Sequence, residues 1–247
     1  MKRLLLLTLL LLLPMLAAAQ APVEDDILSR TLDAASPYYY TGLMMRYKAG
    51  DATLTDADYH YLYYGYAYQD EYKPLEPNPA LDKLLLLAAA VDPEHPQRET
   101  LEAVVSAGND ALARDPFSPK VLNLMAYAHD TLGDKEQAAA YARRMNGVLR
   151  TILASGDALT QKTPRHVLMF DHALDALAAE GFDTGKARIV SRTVEYIPLL
   201  APYTVAGKKR RGFYFDFGRV YRNKPEGYTY KRDRTWQFNN LKPRTYK

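Results

Sequence analysis

Residues 119–149 read PKVLNLMAYAHDTLGDKEQAAAYARRMNGVL, and this stretch decides the fold. Its apolar residues recur at helical spacing: Val121, Met125, Ala128 and Leu132 form one stripe, and Ala138, Tyr141, Ala142, Met145, Val148, Leu149 and Ile152 form the next. Each stripe needs a partner helix to bury it. Asp115-Pro116 and Gly133-Asp134 fall at the joints, and joints this short predict antiparallel helical hairpins. The same periodicity extends upstream through Leu101, Val104, Val105, Gly108, Ala111 and Leu112, and downstream through Val167, Phe170, Leu174 and Leu177, so the pattern is helical from Ala80 to about Glu180.

The flanks extend this reading. Ser36-Pro37 has the form of an N-cap followed by proline at the first helical position, which predicts a helix to about Lys48, ended by Ala49-Gly50-Asp51. Thr55-x-x-Asp58, with Leu54 and Tyr59 placed as a hydrophobic staple, predicts a second helix to about Gln69, and Pro74, Pro77 and Pro79 mark a linker. Past Gly181 the period changes to two. Val190, Arg192, Val194 and Tyr196 alternate with polar residues, as do Phe213, Phe215 and Phe217 with Tyr214 and Asp216, so both runs read as strands joined by a hairpin loop over residues 207–212. Tyr228 to Lys231 and Thr235 to Phe238 are further short strand candidates. The fold class that follows is α+β: helical hairpins over residues 36–180, then a small antiparallel β-sheet in a basic region over residues 187–240, as one domain from 36 to 247.

Leu122, Met125, Ala126, Gly133-Asp134 and Ala138, with Ala111 and Pro116 upstream, sit at the offsets of a tetratricopeptide repeat. The stretch resembles about one and a half such repeats, with His129 and Ala142 standing where the repeat has aromatics. TPR-like hairpins within a compact domain are therefore expected, rather than a free-standing array.

Residues 1–19 are read as a signal peptide: Lys2 and Arg3 are followed by an apolar run from Leu4 to Leu13 and by Ala17-Ala18-Ala19, with cleavage expected before Gln20. The run is too short to span a bilayer. No cysteine exists to carry a lipoprotein's acyl chains, form a disulfide or bind zinc, so a periplasmic or extracellular protein without a membrane anchor is expected. Residues 20–35 read as a poorly ordered acidic leader. The length of 247 residues, 48% hydrophobic and 25% charged, suits one large globular domain.

Charge is split along the chain. From residue 201 onward, 13 Lys and Arg meet only Asp216, Glu226 and Asp233, whereas residues 20–200 carry 17 basic against 26 acidic residues. Docking between the halves accounts for this, and so does a basic face for an anionic partner. Lys208, Lys209, Arg210 and Arg211 are the candidate contacts, for an anionic glycan, a lipopolysaccharide phosphate or a membrane surface; export argues against nucleic acid.

Tyrosine is the outlier in composition, with 11 of its 20 residues between Tyr38 and Tyr72. On a helix, Tyr59, Tyr63 and Tyr66 share one face and Tyr61, Tyr64 and Tyr68 another, so one packing seam is not expected to bury them all. Tyr61, Tyr64 and Tyr68, with His60, are therefore the candidate ligand-binding residues for a peptide or glycan, which rings with polar tips suit. Packing with hydroxyls bonded to backbone is the competing reading.

No nucleophile elbow, zinc-protease motif, glycine-rich phosphate loop or EF-hand run occurs, and no catalytic residue, metal site or cofactor is assigned. His166 and His172 are six apart, on different faces if both are helical. Asp56, Asp58, Asp70 and Glu71 are the carboxylates from which a hydrolase pair would have to come.

The signal segment, Met45-Arg46-Tyr47-Lys48-Ala49-Gly50-Asp51, Leu62-Tyr63-Tyr64-Gly65-Tyr66, Ser155-Gly156-Asp157 and Gly212-Phe213-Tyr214-Phe215-Asp216 together resemble a family of secreted Bacteroidota proteins known only as a domain of unknown function. That resemblance implies a Gram-negative envelope setting and transfers no catalytic residues. The functional expectation is an exported, non-enzymatic peptide- or glycan-binding protein of the cell envelope. A carboxylate-pair hydrolase and a structural assembly subunit are the alternatives.

Overall fold

The computed structural model describes residues 20–205 and 207–222, and it opens on α1 (Glu24–Thr31), a helix inside the presumed acidic leader. Glu24, Asp25 and Asp26 occupy its first turn, where carboxylates face the positive end of the helix. Ile27 and Thr31 are fully buried, so the leader is part of the core rather than a loose tail. An acidic run immediately before an apolar residue at helical spacing was a helix start. The expected signal peptide, residues 1–19, lies outside the described residues.

Helix α2 (Tyr40–Lys48) begins later than the Ser36-Pro37 signal predicts, because the Ser36 hydroxyl accepts from the Tyr38 N–H at 3.0 Å and closes a local turn instead of capping a helix. Thr55 and Asp58 do form the reciprocal cap of α3 (Asp56–Gly65): the Thr55 N–H donates to Asp58 Oδ2 at 2.8 Å and the Asp58 N–H to Thr55 Oγ1 at 3.2 Å. A 3₁₀ turn over Tyr66–Tyr68 continues it. Pro79 is not linker but the first turn of α4 (Pro79–Ala89), capped by Asn78.

The decisive stretch folds as its periodicity predicts. Helices α5 (Arg98–Arg114), α6 (Pro119–Leu132) and α7 (Lys135–Ala154) follow α4, and each packs on the helix before it. Ser118 caps α6, Gly133 ends it with φ at 92°, in the left-handed region that glycine tolerates, and Asp134 caps α7. The helical pattern breaks at Ser155. Residues 155–169 form a loop that carries β1 (Arg165–His166), so Val167 sits in extended chain and only Phe170, Leu174 and Leu177 belong to α8 (Phe170–Ala179). Pro164 cannot continue a helix. The loop then turns back on Gly156, where a Cβ would stand 2.1 Å from the Pro164 carbonyl oxygen.

The sheet has the order β1-β4-β3-β2, with β2 (Arg188–Ile189), β3 (Val194–Val205) and β4 (Lys208–Asp216) antiparallel. Strand β1 adds a short parallel edge, Arg165 opposite Phe215. The strand expected from Val190 begins instead at Val194, because residues 190–193 form a turn closed by the Val190 N–H on the Val194 carbonyl at 3.0 Å. Ile197 opposite Phe213 and Glu195 opposite Phe215 face the core, with Phe217 beyond them, and α9 (Gly218–Arg222) closes that edge. The strands expected near Tyr228 and Thr235 lie outside the described residues. The molecule is thus α+β, helical first and β-rich at its end.

Helix α3 is packed by α1, α2 and α7 at once, and its approach to α7 depends on Gly147, where a Cβ would lie 2.3 Å from the Tyr59 ring. Gly147→Ala should therefore lower stability by about 1–3 kcal/mol in urea denaturation. Gly42→Ala, on the open side of α2 with nothing within 4 Å, should raise it by about 0.5–1 kcal/mol. If both substitutions shift stability the same way, the close approach of α3 and α7 is not as described.

Candidate functional site

Because α3 is enclosed on several sides, its tyrosines have more than one seam to fill. Tyr59, Tyr61, Tyr63, Tyr64 and Tyr66 are all buried, as are Tyr47 and Tyr72. Their hydroxyls have partners. Tyr47 donates to the Pro116 carbonyl at 2.8 Å, Tyr72 to Leu168 at 2.7 Å, Tyr64 to His166 at 3.1 Å and Tyr66 to Arg114 at 3.0 Å. These carbonyls mostly belong to loops and helix ends, where no intrahelical N–H is available to them. Burial pushes the phenol pKa upward at Tyr47, Tyr63, Tyr64, Tyr66 and Tyr72, so these groups stay protonated donors.

The four residues singled out for ligand binding do come together. Tyr64 is fully buried beneath the Arg219 guanidinium, 5.1 Å from the ring centroid. Tyr61 donates to Asp26 Oδ2 at 2.8 Å and lies against Tyr38, with ring centroids 4.2 Å apart. The half-buried Tyr68 accepts from Arg222 at 3.3 Å. His60 sits edge-on to the rings of Tyr61 and Tyr64. Helices α1 and α9 cover the three tyrosines, while His60 lines a groove of about 510 Å³ with Gln20, Asp56 and Arg150. The period argument assumed one seam for α3, whereas tertiary packing supplies several.

One buried phenol in the cluster departs from this rule. Tyr40 is 8% exposed, and its hydroxyl bonds no group among the described residues but is not sealed from solvent. It opens into a groove of about 630 Å³ lined by residues of α2, α5 and α7 together with the Tyr66 turn. Met44 and Met45 form one wall, and Met45 is 69% exposed. Leu112, Asn109 and Tyr141 form the other, with Tyr141 donating to Asn109 Oδ1 at 3.4 Å. Arg144 lies over the Tyr141 ring at 4.8 Å and donates to the Lys48 carbonyl at 2.8 Å, while its buried Nε–H finds no acceptor. The groove therefore offers apolar and aromatic surface together with the Tyr40 hydroxyl and the positive charge of Arg144. Sequence reading passed over it because Met45, Asn109 and Tyr141 lie far apart in the chain; the Met45–Asp51 segment was the only local signal.

A family described as a domain of unknown function (DUF4919) matches residues 25–226. The chain belongs to this family. No curated protein and no solved structure matches it. The DUF4919 match starts within α1, in agreement with the acidic helix being part of the domain, and it takes in both the tyrosine cluster and the basic hairpin.

The hydrolase carboxylates are dispersed across the domain. Asp58 is committed to its cap and lies 3.7 Å from Arg46, Asp56 is paired with Arg150 at 2.8 Å, and Asp70 and Glu71 are exposed beyond the 3₁₀ turn. Lys208, Lys209, Arg210 and Arg211 lie in β4 rather than in a loop, and Gly207, whose φ is 74°, precedes them. Among the described residues no group of three or more His, Cys, Asp or Glu is placed to hold a metal, and no helix is long and apolar enough to cross a membrane.

A buried polar chain runs through the core beside these tyrosines. The Tyr63 hydroxyl accepts from the Leu168 N–H at 3.1 Å and lies 2.9 Å from His172 Nδ1, while His172 Nε2–H donates to Asp115 Oδ2 at 2.9 Å. His166 and His172 do not share a helix: the first is in β1, the second in α8. Burial alone would lower the His172 pKa, but Asp115, together with Asp175 and Asp171, outweighs it and raises the value. Burial lowers His60 to about 4 and moves His166 down as well.

The two directions have opposite consequences. A raised His172 stabilises the fold below the unfolded pKa of about 6.5, and this stabilisation is lost as pH rises through the folded value. A lowered His60 costs stability as pH falls from about 6.5 towards 4, because the unfolded chain takes up the proton first. Urea denaturation across this range should show Asp115→Asn reducing stability and flattening the decline on the alkaline side. His60→Phe should flatten the acid side, by an amount on the order of 3 kcal/mol at most. An unchanged alkaline side in Asp115→Asn would remove the proposed charge on His172.

Proposed function

We propose that this protein is an exported, non-enzymatic binding protein of the cell envelope that takes an extended peptide in the groove between α2, α5 and α7. The observation that carries the reading is the Tyr40 hydroxyl, which opens into this groove without a bonded partner among the described residues while the other buried phenols of the cluster are tied. A peptide backbone supplies a carbonyl acceptor for the phenol, and Arg144 contributes positive charge to the same groove. The flexible thioethers of Met44 and Met45 adapt to varied side chains and suit a peptide better than the flat, hydroxylated face of a glycan. Lys48 and Arg144 add positive charge to the groove and Glu71 a single negative one, so peptides with an acidic residue or a free C-terminus are favoured.

The signal segment supports export, and the TPR-like spacing of α5 to α7 is in keeping with a peptide-holding helical surface. Selection from a displayed random-peptide library against the immobilised protein tests the reading. Selected peptides should lose roughly tenfold in affinity on Met45→Lys, and a similar amount on Tyr40→Phe, with thermal stability nearly unchanged in the first because Met45 is exposed. Failure to select any peptide, or selection of peptides insensitive to both substitutions, would sink the peptide assignment; a glycan array then separates the remaining ligand class.

A further inference from the structure

Strands β3 and β4 pair in two separate stretches. Between Pro198 opposite Gly212 and Tyr203 opposite Arg210, four residues of β3, Leu199 to Pro202, face only Arg211 of β4. So large a bulge must push chain out of the sheet. It is held in place: the Leu200 N–H donates to the Asp183 carbonyl at 2.9 Å and the Gly185 N–H to the Pro198 carbonyl at 2.8 Å. The displaced chain is apolar. Leu200 is 72% exposed, Ala201 and Pro202 are exposed, and Tyr203 is 44% exposed with its ring standing on Phe182, centroids 4.8 Å apart.

Beside this bulge stand the cations. Lys208, Lys209 and Arg211 are exposed and have no ion-pair partner among the described residues, and Arg210 lies directly opposite Tyr203. The acids of these two strands are at the other end of the hairpin: Glu195 is buried and accepts from Tyr221, and Asp216 accepts from the Gly218 N–H. An exposed leucine and tyrosine braced on the surface next to unpaired Lys and Arg is the arrangement of an interfacial membrane contact, in which apolar side chains enter the headgroup region and cations meet lipid phosphates.

We propose that the β3–β4 hairpin seats this protein on an anionic lipid bilayer, with Leu200 and Tyr203 entering the interface and Lys208, Lys209 and Arg211 contacting lipid phosphates. An acidic polysaccharide would use the same cations but offers Leu200 no apolar environment, so the braced bulge favours the bilayer. This surface is separate from the α2–α5–α7 groove, and its test does not depend on a peptide ligand.

Co-sedimentation of the full chain with vesicles tests the proposal. Binding is expected to vesicles of phosphatidylglycerol in phosphatidylcholine, to weaken as salt rises, and to be absent with phosphatidylcholine alone. The triple variant Lys208→Gln/Lys209→Gln/Arg211→Gln should bind about a hundredfold more weakly, at about fivefold per cation. Leu200→Ser, which keeps every charge and alters a side chain outside the core, should weaken binding roughly tenfold while keeping the salt dependence. The proposal is overturned if the full chain ignores anionic vesicles. It is equally overturned if Leu200→Ser binds them as well as the wild type and an acidic polysaccharide competes at equal charge, which would assign the cations to a soluble polyanion.

Discussion

The Tyr63 hydroxyl holds the two ends of this fold together. It is fully buried on α3, yet it meets the Leu168 N–H from the loop before α8 and the His172 ring from α8 itself. A phenol at this depth without partners would cost on the order of 1–3 kcal/mol, and the Leu168 N–H would be orphaned with it. Once the bond is made, α3 and α8 are fixed relative to each other, and Asp115, from the joint between α5 and α6, is drawn in through His172. Tyr72 reaches the Leu168 carbonyl and Tyr64 the His166 carbonyl in the same way, so three tyrosines of α3 and the turn after it hold the backbone of this loop at His166 and Leu168.

This use of tyrosine explains why so aromatic a helix can lie in a folded core. Each ring supplies large apolar area, and each hydroxyl supplies a donor at its far end, where loops and helix termini leave carbonyls without partners. The surrounding helices approach closely at three glycines, where Thr31 beside Gly65, the Met125 thioether beside Gly108 and the Tyr59 ring beside Gly147 occupy the space of a side chain. Among the surfaces left open to other molecules are the groove at Tyr40 and the basic hairpin.

Much of the backbone was legible beforehand. The Thr55–Asp58 cap, the Gly133-Asp134 joint and the alternation of Phe213, Phe215 and Phe217 are local signals, and each forms the element its spacing predicts. Errors arose where a local signal had two outcomes. Ser36 could cap a helix or close a turn, and it closes a turn; Pro79 could end a linker or start a helix, and it starts one. The acidic residues before Ile27 read as a solvated leader until the burial of Ile27 made them a helix start.

By itself the sequence determined that the chain is helical first and β-rich last, that it has no thiol chemistry, and that phenols are in excess between Tyr38 and Tyr72, because periodicity and composition act over a few neighbouring residues. Which phenols would be sealed was settled only in three dimensions. Burial of a ring depends on how many elements surround its helix, and α1, α2 and α7 come from distant parts of the chain. The same holds for the bulge beside Arg211, since a register shift exists only between two strands and no single strand encodes it.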